Sequence, residues 1–66
     1  MKHWVVDVAY VSYSGIRNEL TYPMVVAASI TEAIEKITAQ VIKDARQRHW
    51  LRWKIWNVGM VEQEVW

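Results

Sequence analysis

Between Ser29 and Gln47 the chain contains neither glycine nor proline, and the stretch opens with Ser29-Ile30-Thr31-Glu32. This is a capping box. The Ser29 side chain can accept from the Glu32 backbone N–H, and the Glu32 carboxylate can reach back to that of Ser29. Behind it, Ile30, Ala33, Ile34, Ile37, Val41, Ile42 and Ala45 recur at three- and four-residue spacing, the signature of one apolar stripe. Glu32 and Lys36 stand four apart in the favourable order. The spacing predicts a helix of about 17–19 residues, some 27 Å long, with its exit near Arg48–His49, where the periodicity changes. No glycine marks that exit.

Everything around the helix alternates. From Lys2 to Tyr13, Trp4, Val6, Val8 and Tyr10 fall on one face; Val5, Asp7, Ala9 and Val11 fall on the other. β-Branched and aromatic residues dominate, so this run reads as a strand. Ser14-Gly15-Ile16-Arg17-Asn18 has turn chemistry. Glu19–Ala28 alternates again, with Leu20, Tyr22, Met24 and Val26 on one face, completing a β-hairpin. Pro23 has no N–H for a ladder, which predicts a free edge or a bulge there. Trp50–Val58 is a third strand, with Leu51, Trp53 and Ile55 opposite Trp50, Arg52, Lys54 and Trp56. Asn57 and Gly59 permit a bend or bulge, and Met60–Trp66 either continues this strand or forms a short fourth one.

The expected fold class is therefore α+β. It is a two-layer β-β-α-β unit, one amphipathic helix on a three- or four-stranded, mostly antiparallel sheet, with residues 1–66 forming a single domain. The expected sheet half of the core is Trp4, Val6, Val8, Tyr10, Leu20, Tyr22, Met24, Val26, Leu51, Trp53 and Ile55. One helix covers one face. The other would carry Val5, Asp7, Ala9, Val11, Tyr13, Thr21, Val25, Trp50, Arg52, Lys54, Trp56 and Trp66. A face that apolar, rimmed by charge, marks an interaction site, and Trp and Arg are the residues most enriched in interface hot spots.

Chemistry is sparse. With no cysteine in 66 residues, disulfides and thiolate metal sites are excluded. His3 and His49 lack metal-ligand spacing, Ser12, Ser14 and Ser29 lack a nucleophile-elbow context, and Gly15 and Gly59 are isolated rather than part of a phosphate-cradling loop. The sequence thus points to no catalytic residue, no metal, no cofactor and no enzyme. No run reaches the ~18 apolar residues of a membrane span, and no secretory signal is evident; a cytoplasmic protein is expected.

Charge is uneven. Residues 1–35 carry −2, residues 36–56 carry +5 and residues 57–66 carry −2, for a net +1. The basic segment Arg46-Gln47-Arg48-His49-Trp50-Leu51-Arg52-Trp53-Lys54-Ile55-Trp56 interleaves cations with rings. The candidate partner-binding residues are Arg46, Arg48, Trp50, Arg52, Lys54 and Trp56. Such interleaving also suits single-stranded nucleic acid, where rings stack on bases. A pI of about 8.1 falls below the values above ~9 usual for nucleic-acid binders.

The layout resembles the small phage-encoded β-β-α-β proteins that block host enzymes, and among them the T7-type inhibitors of bacterial RNA polymerase. The likeness rests on chain size, on Tyr22-Pro23-Met24-Val25-Val26-Ala27-Ala28, on the helix opening Ser29-Ile30-Thr31-Glu32-Ala33-Ile34-Glu35, and on Arg52-Trp53-Lys54. Short anti-CRISPR proteins share the layout. This chain departs in its longer helix, its tryptophans and its apolar tail. The resemblance implies that Arg52 and Lys54, the alternating basic pair of the last strand, contact a host protein such as RNA polymerase or a defence complex. The expected function is occlusion of an acidic or nucleic-acid-handling host protein in the bacterial cytoplasm. A nucleic-acid-binding module and a homodimer that stacks two apolar sheet faces are the alternatives.

Overall fold

The computed structural model describes residues 2–61. Strand β1 (Lys2–Val11), strand β2 (Arg17–Ala27), helix α1 (Ile30–Arg48) and strand β3 (Arg52–Val61) follow in that order. All pairings are antiparallel and the sheet order is β2-β1-β3, so β1 is central. This is the expected α+β, β-β-α-β layout. Met60 and Val61 continue β3; the remainder of the tail, including Trp66, lies outside the described residues.

The hairpin turn has five residues, as the sequence suggested, but it lies two positions earlier, over Ser12–Ile16 in place of Ser14–Asn18. Gly15 N–H donates to Ser12 O (2.8 Å) and Ser12 N–H to Ile16 O (2.9 Å). Gly15 takes φ +84°, a region that glycine occupies without Cβ strain. Closing the turn over Ser12–Ile16 brings Arg17 into β2, opposite Val11.

The core is the even face of β1 against the underside of α1. Trp4, Val6 and Val8 are buried with Ala33, Ile37 and Val41. The Trp4 indole N–H donates to Ala27 O at 3.0 Å, which pins the end of β2 to the start of β1. That bond satisfies a polar atom that burial would otherwise penalise.

Both outer strands break register against β1, and each break turns the strand over. On β2, Val6 faces Tyr22 but Trp4 faces Val25, so an extra residue sits at Pro23–Met24. Of the free edge or bulge expected at Pro23, both are present: β2 is an outer strand and it is bulged there. The consequence of the bulge corrects the expected core, because a one-residue slip exchanges the two faces of a strand. Met24 (71% exposed) and Val26 (37%) leave the core; Val25 and Ala27 are buried instead. On β3, Val8 faces Ile55 while Asp7 faces Asn57, leaving Trp56 unpaired. Trp53, Ile55 and Val58 pack against the core.

Helix α1 begins as its capping box predicts, with Glu32 N–H donating to Ser29 Oγ at 3.2 Å. The return bond differs: the Glu32 carboxylate accepts from Ala28 N–H (3.3 Å). It also pairs with Lys36 Nζ at 3.2 Å. The helix stops at His49, which adopts a left-handed φ of 57°. The N–H groups of His49 and Trp50 both turn back to Ala45 O, a Schellman-type ending. The Trp50 N–H is thereby taken from the ladder, and only with Leu51 N–H donating to Val11 O (2.8 Å) does the chain rejoin the sheet. Two expectations are corrected here. Trp50 is not on β3, and Leu51 is 65% exposed rather than in the core.

Paired substitutions in β2 read out the Pro23 bulge. Val25→Asp should leave the chain unfolded, since an unpaired buried carboxylate costs more than the roughly 3–5 kcal/mol that a core of this size supplies. Val26→Asp should change stability by under about 1 kcal/mol. Urea unfolding of the two variants checks this; unbroken alternation would give the opposite ranking.

Candidate functional site

With α1 on one face, no element of the described residues lies over the other face of the sheet. Cross-strand register organises that face into rows. Thr21, Asp7 and Asn57 form the middle row, one residue from each strand. Thr21 Oγ1 donates to Asp7 Oδ1 (2.7 Å) and Asn57 Nδ2 donates to Asp7 Oδ2 (2.9 Å). These bonds, that of Asn57 foremost and then that of Thr21, hold the Asp7 carboxyl below its ordinary value of 3.8. The expected uninterrupted apolar face is thus split by a polar band.

Toward the turn, Glu19, Ala9 and Lys54 make the next row, and Arg17, Val11 and Arg52 the last. There the surface sinks into a depression of about 300 Å³, lined by Ala9, Tyr10, Val11, Arg17, Arg52, Trp53 and Lys54. Arg17 enters from β2, Arg52 and Lys54 from β3, over a small apolar floor supplied by β1. Among the described residues the one ion pair is Glu32–Lys36, so none of these three cations has a carboxylate of that set within 4 Å.

The structure divides the sequence candidates. Arg52 and Lys54 share the open face as expected. Arg46 and Arg48 are exposed in the last turn of α1. They stand at the same end of the molecule, where β1 ends and β2 and β3 begin, but outside the depression. Trp56 is the bulged residue of β3 and is 52% exposed. Trp50 does not join the other five. It packs against the core and stacks on Tyr10, with centroids 4.0 Å apart and planes 13° from parallel. Val25 has moved to the core side and Tyr13 lies in the hairpin turn. Arg17 was missed, because the sequence pattern places it inside the turn, and its place opposite Val11 depends on the turn lying two residues earlier. Counting the ladder back from a five-residue Ser12–Ile16 turn would have found it.

Beneath the basic end, the Tyr22 hydroxyl donates to Asp44 Oδ2 at 2.6 Å. Burial, then the hydrogen bond and charge of Asp44, push the phenol well above its ordinary value. Gln40 Nε2 donates to the other Asp44 oxygen (3.1 Å). Asp44, the one acid of residues 36–56, is therefore engaged by α1 and β2. No cluster of three metal-ligating side chains occurs among the described residues, and none of their helices is long and apolar enough to cross a membrane. No protein-family model, curated protein or solved structure matches this chain.

Asp7 gives a pH test of the polar band. A carboxyl held low in the folded state adds stability above its ordinary value, and that stability is lost as pH falls through the folded value. Asn57→Ala should move the Asp7 titration upward, toward 3.8, in carboxyl-detected NMR, and bring the onset of acid unfolding to higher pH. An unmoved titration would mean that Asn57 does not hold the carboxylate in solution.

Proposed function

We propose that this chain is a small non-enzymatic binding protein that acts by occlusion. It docks the basic end of its helix-free sheet face on an acidic surface of a larger host protein that handles nucleic acid. A phage or mobile-element origin and a bacterial cytoplasmic setting belong to the same reading and rest on the layout resemblance alone.

The observation that carries it is the depression bounded by Arg17, Arg52 and Lys54, three cations none of which is ion-paired within 4 Å to a carboxylate of the described residues. Cations held together on an apolar floor repel one another until an anion joins them, and guanidinium groups match carboxylates bidentately. Arg46 and Arg48, nearby and exposed, add to the long-range field that steers an acidic partner in. Protein fits better than single-stranded nucleic acid. A stacking platform needs several free rings beside its cations, yet Trp50 is stacked on Tyr10 and Trp53 is partly buried against the core, which leaves Trp56 as the one exposed tryptophan of the described residues.

Arg52→Glu is the test. Capture of the principal partner from bacterial lysate should fall at least tenfold, should be insensitive to nuclease in the wild type, and should leave the thermal midpoint within about 2 °C, as for an exposed substitution. Unchanged capture would remove this face from the site. Capture that disappears with nuclease would transfer the site to nucleic acid.

A further inference from the structure

The two edges of the sheet are built differently. The outer edge of β2 is closed: Pro23 offers no N–H, and Lys36 Nζ from α1 donates to Val26 O at 2.6 Å. The outer edge of β3 runs from Arg52 to Val61 without a proline, interrupted by the bulge at Trp56, and no side chain of the described residues bonds to its backbone. Such an edge is a template for another strand.

The helix shows the same asymmetry. Lys36 and Asp44 reach β2 through hydrogen bonds, and Gln40 supports Asp44. With Ala33, Ile37 and Val41 facing down, a turn of 100° per residue places Ile34, Thr38 and Ala45 on the opposite flank, toward β3. Ile34 is 37% exposed there and Ile42, higher on that side, 41%. Below them Trp53, Ile55 and Val58 are only partly buried, and Met60 is half exposed. An apolar groove therefore runs between α1 and β3, alongside the open edge.

We infer that a second copy of this chain fills both, pairing β3 with β3 antiparallel about a twofold axis normal to the sheet. Such an axis keeps both helices on the same side of a continuous six-stranded sheet. The two β1 strands would then lie three strand spacings apart, about 14 Å. The facing helix flanks, with Ile34 and Ile42, would then border one apolar channel above Ile55 and Val58 of both copies. One operation thus pairs the free edge and covers the groove. It also carries the two basic ends apart: about the centre of β3, the two Arg52 residues would stand roughly 30 Å from each other, beyond the ~8 Å screening length at physiological salt. A chain of 66 residues gains stability from such an assembly. This pairing leaves the helix-free face, and with it the depression, open in both copies.

Sedimentation at about 5–200 µM, the range that spans micromolar dimer affinities, tests the inference. A dimer that persists at high salt is expected, with Ile34→Lys weakening it at least tenfold while the far-ultraviolet circular dichroism is unchanged; should that variant unfold, Ile42→Lys serves in its place. Cysteine-free as it is, the chain accepts single spin labels cleanly. Labels at Asn57→Cys should lie within about 15–20 Å of each other and labels at Leu51→Cys some 35 Å apart, from the rise per strand residue. A monomer throughout would overturn the inference. So would a dimer indifferent to lysine on the helix flank, which would mean stacked sheet faces, or Leu51 labels closer together than those at Asn57.

Discussion

The two bulges opposite β1 are the constraint on which the rest of this small structure depends. β1 alternates without fault, and its even face is the floor of the core. Each neighbour carries one residue too many, at Pro23–Met24 in β2 and at Trp56 in β3. Because side chains in a strand change sides with every residue, each insertion exchanges the faces of everything beyond it. Val25 and Ala27 thereby reach the helix, and Asn57 reaches Asp7. Without the second bulge, Asn57 would point into the core side and the polar band would lack a member.

Much of this was legible in residues whose local chemistry admits one answer. The capping box, the seven-residue apolar stripe and the alternation of β1 gave the helix and the central strand. Pro23 announced an edge or a bulge, since it has no N–H to pair. What lay beyond Pro23 was not legible: Met24 and Val26 continue the period-two pattern as well as Val25 and Ala27 do, and only the pairing with Trp4 decides between them. Trp50 failed for a related reason. It extends the alternation of β3 in sequence, but the left-handed His49 spends the Trp50 N–H on Ala45 O before the strand begins.

The candidate site was half legible. Arg52 and Lys54 share a face because they are two apart on a strand. Their third companion, Arg17, is some 35 residues away in sequence, and its position is set by a turn closed through Gly15. Of the two expected rings, Trp56 stays exposed and Trp50 is lost for the opposite reason: a ring that finds a stacking partner on the core side, as Trp50 finds Tyr10, is drawn out of the face that its spacing suggested.

The resulting division of labour is physical. Apolar burial is concentrated beneath α1, and the opposite face carries a hydrogen-bonded acid at its centre and three cations at one end. Titrating the isotope-labelled protein with a short polyglutamate peptide, and following its amide resonances, tests whether that end is where an acidic partner docks. Shifts confined to the rows of Ala9 and Val11, including Arg17, Arg52 and Lys54, and abolished by high salt, are the result expected. Shifts that gather on α1, or none at low salt, would contradict it.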